Sequence, residues 1–113
     1  MGELRPIRQN EQELIHFLLQ SLQLQPEDFP VNELVDEYEG GKMWSISLGG
    51  NPGAYAGDLA QVEYIDSDGT PVVITLTVDD DGRLLDLDFW KVDMSKLLTY
   101  PTTDKVYFSK KVE

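Results

Sequence analysis

Two aspartates on alternate positions of one short segment are the residues whose types and spacing most suggest chemistry. Read with the two-residue period of a β-strand, residues 83–93 place Asp86, Asp88 and Trp90 on one face. The opposite face carries residues that a sheet typically buries: Leu85, Leu87 and Phe89. Alternate residues on one strand face lie about 7 Å apart, within the carboxyl separation of inverting glycosidases. A hydrolase that uses Asp86 and Asp88 is therefore one hypothesis, although a single strand supplies no cleft.

The same face also fits protein recognition. Tryptophan is one of the residue types that dominate binding energies at interfaces, and a rim of carboxylates accelerates encounter with a basic partner. The structural alternative is that the C-terminal segment covers Trp90 near Tyr100 or Tyr107. We predict a candidate interface made of Asp86, Asp88, Trp90, Lys91 and Asp93.

The acidic run of residues 79–81 before Gly82 suggests a cation site. In an EF-hand loop with Gly82 at its sixth position, an acid would stand where the chain has Thr77, and a glutamate where it has Asp88. The pattern therefore does not fit an EF-hand. An acidic turn is the simpler interpretation, and a weak cation site stays an alternative.

The residue types of this chain support few other kinds of catalytic or binding site. The absence of cysteine excludes disulfides, thiol catalysis and zinc–thiolate sites. His16, the only histidine, falls outside the apolar stripe of its predicted helix, which indicates a solvated side chain. The glycines of residues 49–57 match neither of the common phosphate-binding patterns and indicate a loop. We expect no catalytic residue, no metal and no cofactor.

Negative charge is concentrated in the first three quarters of the chain. The net charge is −12, and residues 9–82 contain fifteen acids against one cation, Lys42. Such a surface favours solubility and would attract a basic protein partner. Nucleic acid is not an expected partner, because no basic stripe is present to displace counterions from phosphates.

Length and composition indicate one folded domain over residues 1–113. An apolar fraction of 41% with 10% aromatics is ordinary for a globular protein. No apolar run approaches the 18 or so residues of a membrane-spanning helix, and the N-terminus lacks the apolar stretch of a secretory signal. We therefore expect a cytoplasmic protein without a membrane partner, whose oligomeric state the sequence leaves open.

The elements that would position the aspartates begin with one helix. Asn10 and Glu13 have the spacing of a capping box, and Pro26 marks a stop, which predicts a helix over about residues 11–24. Its apolar residues lie on one side at helical spacing: Leu14, Ile15, Leu18, Leu19 and Leu22. Residues 5–7 before the helix are predicted to be an extended lead-in.

The middle of the chain reads as antiparallel hairpins. Residues 34–38 and 43–48 predict a hairpin around a glycine turn, with a helix over residues 31–38 as the alternative. Strands over residues 59–65 and 72–78 precede the strand that carries Asp86 and Asp88. Residues 94–98 predict a short helical turn, and residues 106–108 a final edge strand. The predicted fold is α+β, with one N-terminal amphipathic helix packed on one face of a mainly antiparallel meander of about five strands.

Hydrophobic matching predicts the register of the two later hairpins. Around residues 66–69, a glycine-bulged turn pairs Tyr64 with Val72 and Val62 with Ile74. Around Asp81 and Gly82, a two-residue turn gives the better match. The pairs expected from it are Val78 with Leu85, Leu76 with Leu87, and Ile74 with Phe89.

Several motifs together resemble a small bacterial family of unknown function. They are an Arg-Pro opening before an ExxLIxxLL helix, the segment DGTPVVITL, and the terminal strand DGRLLDLDFWKVDMSKLL. The resemblance covers most of the chain and implies an α+β bacterial cytoplasmic protein without known catalytic residues. It is closest at Leu87, Asp88, Trp90, Lys91 and Asp93.

The leading functional hypothesis is a non-enzymatic module that presents an acidic face to a basic protein. Small acidic proteins of this general build include immunity proteins that neutralise toxins, so an immunity-like role is one form of the hypothesis. The alternatives are a small-ligand or cation-binding domain, and a hydrolase.

Overall fold

The structure is a computed structural model, and it describes residues 4–29, 31, 33–37, 46–48 and 55–108. The predicted turn of the glycine hairpin, residues 39–42, and residues 49–54 of the glycine loop lie outside these ranges. Apart from a 3-10 turn at Pro26–Asp28, the elements are β1 (Leu4–Pro6), α1 (Gln9–Ser21), β2 (Leu34–Glu37), β3 (Ile46–Ser47), β4 (Tyr55–Ile65), β5 (Pro71–Asp79), β6 (Leu84–Lys91) and β7 (Tyr107–Phe108).

The strands form one antiparallel sheet in the order β1-β2-β3-β6-β5-β4-β7. Two three-stranded meanders, β1-β2-β3 and β4-β5-β6, meet edge to edge where β3 pairs with β6. The prediction of an α+β fold with one helix and an antiparallel sheet is confirmed, but within the described residues the sheet has seven strands rather than about five. The lead-in before α1 forms β1, and the predicted edge strand forms β7 beside β4.

Helix α1 covers one side of the sheet. Four of its apolar residues are fully buried, and they cluster with the inward side chains of β2 to β6. These four are Leu14, Ile15, Leu18 and Leu19. Among the described residues, no helix is long and apolar enough to cross a membrane.

The helix begins earlier than the capping pattern predicts. Its N-cap is Arg8 rather than Asn10, and the Glu11 carboxylate accepts the Arg8 backbone N–H at 2.8 Å. Glu11 is completely buried, and it also accepts hydrogen bonds from both terminal nitrogens of the Arg5 guanidinium, at 2.7 and 3.1 Å. The ion pair to β1 therefore selects Glu11, instead of Glu13, as the capping acid.

The first of the later hairpins has the predicted register. Tyr64 faces Val72 and Val62 faces Ile74. The Gly69 N–H donates to the Asp66 carbonyl at 2.8 Å, and Gly69 has a φ of 84°, which favours glycine.

The turn of the second hairpin differs from its prediction. The Gly82 N–H donates to the Asp79 carbonyl at 3.0 Å, the Asp79 N–H donates to the Arg83 carbonyl at 2.9 Å, and Gly82 has a φ of 81°. This is the same three-residue glycine turn as in the first hairpin. The predicted two-residue turn at Asp81 and Gly82 is therefore wrong.

A β-bulge in β6 compensates for the longer turn. Val78 faces Leu84 instead of Leu85, so Leu85 and Asp86 together face Thr77. Leu84 consequently joins the core cluster, whereas Leu85 is buried outside it. Beyond the bulge the predicted pairs are present: Leu76 with Leu87, and Ile74 with Phe89. Burial of the apolar pattern, rather than the turn, thus determines the register.

Replacing Thr77 with valine is expected to lower the free energy of unfolding by about 1–3 kcal/mol. Thr77 is buried, and its Oγ1 accepts a hydrogen bond from the Asp86 N–H at 3.0 Å. The bulge prevents this N–H from joining the regular backbone hydrogen bonds between β5 and β6. Urea denaturation measures the effect. Thr75→Val is the matched control, because Thr75 accepts only an exposed Gln61 amide, and it should change little. Equal effects of the two substitutions would contradict this account of the bulge.

Of the two remaining predictions of secondary structure, one is confirmed and one is wrong. Residues 34–37 form a strand that pairs with β3, as predicted, so the helical alternative for residues 31–38 is wrong. The predicted helical turn at residues 94–98 is absent. Met94 has a φ of 65°, and the N–H groups of Leu98 and Thr99 donate to the Asp66 carboxylate instead of to preceding carbonyls.

Candidate functional site

A row of alternating carboxylates and hydroxyls crosses the sheet on the side opposite α1. Asp36 in β2 faces Ser47 in β3, and Ser47 faces Asp86 in β6. Across the bulge, Thr77 in β5 lies beside Asp86 and faces Asp58 in β4. Facing residues point to the same side of a sheet. Their chain neighbours lie in the core on the other side: Val35, Ile46, Leu76 and Leu87. We call these five residues the acidic row and this side of the sheet the open face.

Asp88 adds another carboxylate to the open face. It faces Thr75 and is the next residue of β6 after Asp86 on this side of the sheet. Burial, and then the charges of Asp86 and Asp58, raise the pKa of Asp88. The Tyr55 hydroxyl donates to Asp58 at 2.6 Å, and this bond, burial and the charges of Asp58 and Asp88 raise the pKa of Tyr55. The carboxylates are thus close enough to repel one another.

The acidic row also holds a buried acceptor without a donor. Oδ1 of Asp36 is inaccessible to solvent, and no hydrogen bond reaches it within the described part of the chain. A buried carboxylate oxygen normally accepts two hydrogen bonds, so an unpaired one costs free energy.

Replacing Asp88 with asparagine is expected to stabilise the fold at neutral pH by about 0.5 kcal/mol, a small gain because water screens the charges. Since its pKa is raised in the folded state, the native state binds the proton more tightly than the unfolded chain. The penalty of ionised Asp88 is therefore complete above the raised pKa, and it disappears below about pH 4, the ordinary value for aspartate.

Urea unfolding of both proteins at about pH 7 and about pH 3.5 tests this sign. The control is Asp81→Asn, because Asp81 is exposed and pairs with Arg83 at 2.9 Å, and it should give no gain. The electrostatic account would be contradicted if Asp88→Asn did not raise the free energy of unfolding at neutral pH, or if it raised it equally in acid.

The other end of the open face is mainly apolar, although Glu63 faces Val73 there. Trp90 is 50% exposed and faces Val73, and its indole N–H donates to the Met94 sulfur at 3.1 Å. Tyr100 contacts Phe89 on the core side instead of covering Trp90. The next position along β5 on this side is Pro71, which lies between Ile65 and Val92. We call the following group the apolar end: Ile65, Val73, Trp90, Val92 and Met94.

The structure brings together three of the five predicted interface residues. Asp86, Asp88 and Trp90 share the open face, whereas Lys91 lies on the core side and is completely buried. Asp93 follows β6 in a turn, where it accepts the Ser95 hydroxyl at 2.6 Å and the Ser95 N–H at 3.0 Å. These bonds lower the pKa of Asp93.

Lys91 is the centre of a buried ion cluster. Its Nζ lies 2.9 Å from Asp66 and 2.9 Å from Asp68, and it donates to the Lys96 carbonyl at 3.0 Å. Burial opposes the charge of Lys91, but the bonds to Asp68 and Asp66 outweigh it and raise the pKa of the ammonium group. Lys91 therefore stabilises the fold and is not available to a partner on the open face.

The acidic turn at residues 79–81 is held by hydrogen bonds to one of its own carboxylates. Its carboxylate oxygens lie within 4.8 Å of one another, a separation that a cation site would need. However, Asp79 is buried and accepts the N–H groups of Asp81 and Arg83, each at 2.9 Å. A cation would compete with the bonds that form the turn.

A pocket of about 170 Å³ lies between α1 and the following segment, where Pro26, Phe29, Val31 and Glu33 line it. His16, Gln12 and Glu33 line it together with apolar residues. His16 is exposed, as the sequence predicts, and also borders a second groove beside α1. Neither of these two pockets is lined by Asp86 or Asp88.

Several residues of the open face were not predicted from the sequence. Asp36, Ser47 and Asp58 join Asp86 only because the strands pair in the order β2-β3-β6-β5-β4. No local spacing carries that information. For Lys91 a signal does exist, because the alternation that places Leu87 and Phe89 in the core places Lys91 there too.

The fold and the open face define a one-helix α+β domain with a carboxylate-rich, partly aromatic sheet surface. A family model described as a domain of unknown function (DUF6984) matches residues 4–101, and the chain belongs to this family. The predicted membership of a family of unknown function is thereby confirmed. Searches of curated proteins and of solved structures gave no match.

Proposed function

We propose that this chain is a non-enzymatic, cytoplasmic protein-binding module whose open face binds a basic segment of a partner protein. The observation that carries the proposal is the clustering of Asp58, Asp86 and Asp88 on one sheet face with half-exposed Trp90. Carboxylates steer a cationic partner, and a tryptophan supplies binding energy when it is covered.

The clustered carboxylates are unfavourable for folding alone, which supports a functional role. Burial, and then their mutual repulsion, raises the pKa of Asp88, and the buried oxygen of Asp36 lacks a donor within the described residues. Such local conflicts between stability and sequence are expected at functional sites. Lysine or arginine side chains of a partner would neutralise the accessible carboxylates of the open face.

A toxin-neutralising, immunity-like role is the more specific form of this proposal. It depends on analogy of size, acidity and fold, and a basic toxin would then be the partner. The net charge of −12 makes nucleic acid an unsuitable partner.

Two alternatives remain distinct from protein binding. A hydrolase would use Asp88, with its raised pKa, as a general acid and Asp86 as the base. It would then need a cleft at these residues, and the two pockets beside α1 do not provide it. A cation-binding domain would use residues 79–81, and calcium would then raise the melting temperature of the wild type but not of Asp81→Ala.

Binding of a short peptide of alternating arginine and serine tests the proposal. Neutralising Asp86 and Asp88 together, as Asp86→Asn/Asp88→Asn, is expected to weaken binding about tenfold at low salt, because two charge pairs on the open face are lost. Fluorescence anisotropy of the labelled peptide measures the affinity, and the difference should shrink as salt is added.

The matched control makes the same change of charge elsewhere. Glu27→Gln/Asp28→Asn removes two exposed carboxylates of the 3-10 turn, and we expect less than about a twofold effect. If this control weakens binding as much as the open-face variant, the peptide responds only to net charge and the open face is not the site.

A further inference from the structure

The open face changes character along β6. Asp86 lies in the acidic row, Asp88 follows it on the same side, and Trp90 lies in the apolar end. Trp90 lies four residues after Asp86 in extended chain, which is a distance of about 13 Å. The surface therefore offers charge and apolar contact at two separate positions along one strand direction.

The apolar end is suited to an anchor side chain. Trp90 is 50% exposed, Val92 42% and Met94 61%, and Ile65 is also exposed across the sheet. Covering a tryptophan with apolar neighbours contributes more to affinity than most interface contacts do. A partner with basic residues alone would leave this part of the face uncovered.

Charge complementarity identifies the occupant. The acidic row and Asp88 require cations, whereas a second copy of this chain would add another net charge of −12. If two copies paired through their open faces, the carboxylates of one copy would lie near those of the other, or near its apolar end. Neither arrangement supplies a cation to the carboxylates.

We propose that the partner segment is extended and runs along β6, with two arginines two residues apart over Asp86 and Asp88 and an apolar anchor on Trp90, four residues from the arginine over Asp86. This inference rests on the proposed function and adds the spacing and the chemistry of the segment. An extended segment is selected because its rise of about 3.3 Å per residue matches that of β6 beneath it.

Two labelled peptides of identical composition test the spacing. In one, the order is arginine, serine, arginine, threonine, phenylalanine, so that both arginines and the phenylalanine anchor point to the same side. In the other, the phenylalanine directly follows the second arginine and the threonine comes last. Anisotropy titrations should show that the spaced peptide binds about tenfold more tightly to the wild type. Trp90→Ala should remove this preference while both peptides still bind.

Two further variants separate the outcomes. Asp86→Asn/Asp88→Asn should weaken both peptides equally and leave their ratio unchanged. Met94→Ser, an exposed substitution at the apolar end, should reduce the preference about threefold, and it serves if Trp90→Ala does not fold by circular dichroism.

Equal binding of the two peptides, with a loss in Asp86→Asn/Asp88→Asn, would overturn the spacing while the proposed function stands. Unchanged binding in Asp86→Asn/Asp88→Asn would overturn both. A dimer that sedimentation detects without peptide, and that Trp90→Ala dissociates, would assign the apolar end to a second copy and overturn this inference.

Discussion

Replacing Asp66 with alanine is expected to lower the free energy of unfolding by about 3–5 kcal/mol, because it removes the fully buried carboxylate that pairs with the buried charge of Lys91. Both side chains of the Asp66–Lys91 pair are completely inaccessible to solvent, and Asp68, the second carboxylate on Lys91, is 36% exposed. Such a loss is a large part of the total stability of a small domain.

Asp66 does more than neutralise Lys91. Its oxygens also accept the backbone N–H groups of Ser67 at 2.7 Å, Leu98 at 2.8 Å and Thr99 at 3.1 Å. The carboxylate therefore fastens the segment that follows β6 to the turn between β4 and β5. We expect this segment to be cleaved faster by proteases in Asp66→Ala, in addition to the global loss.

The pH dependence of this effect has a definite sign. Although burial opposes its charge, hydrogen bonds from the Leu98 N–H and from Lys91 lower the pKa of Asp66. Its contribution is therefore complete above about pH 4 and is lost as the pH falls through the lowered value. The pKa of Lys91 is raised, so its contribution is complete below about pH 10 and is lost above the raised value.

Urea denaturation across the pH range measures the difference between the wild type and Asp66→Ala. It should be largest between about pH 5 and pH 10. Asp80→Ala, in the corresponding exposed turn of the second hairpin, is the control and should stay within about 0.5 kcal/mol of the wild type. Equal stability of Asp66→Ala and wild type at neutral pH would show that the buried pair does not hold the fold together.

Glu11→Ala is expected to have a comparable effect, about 3–5 kcal/mol. Glu11 is completely buried, pairs with Arg5 at 2.7 Å, and caps α1 by accepting the Arg8 N–H at 2.8 Å. Its removal leaves the guanidinium of Arg5, only 17% exposed, without this carboxylate, and it also removes the helix cap.

Thermal and urea unfolding of Glu11→Ala measure this loss. Glu13→Ala is the matched control on the same helix, because Glu13 is exposed and accepts only the Gln9 side chain at 3.0 Å. It should change stability by less than about 0.5 kcal/mol. A Glu13→Ala effect as large as that of Glu11→Ala would mean that the predicted capping acid, and not the buried one, starts the helix.

Apolar periodicity predicted the parts of the fold that depend on burial. The core side of α1 and the pairing of Leu76 with Leu87 follow from which residues must leave water. The turn at Asp81 and Gly82 was wrong for a related reason. Hydrophobic matching assumed a uniform ladder, whereas the chain satisfies the same matching with a longer turn and a bulge.

The polar features were harder to predict because their partners are distant in sequence. Glu11 and Arg5 are six residues apart, whereas Asp66 and Leu98 are thirty-two apart. Nothing in local spacing distinguishes Glu11 from Glu13, or Asp66 from the other acids of its turn. On the open face, period-2 alternation correctly grouped Asp86, Asp88 and Trp90. Asp36 and Asp58 required the strand order.

The central claim is that the open face binds a basic segment, and amide chemical-shift mapping with the spaced arginine peptide tests it most directly. Perturbations should cluster at Asp58, Thr75, Asp86, Asp88 and Trp90, and they should weaken as salt is added. Perturbations that cluster around the pocket of His16 and Glu33, or that spread evenly over all exposed acids, would contradict the claim.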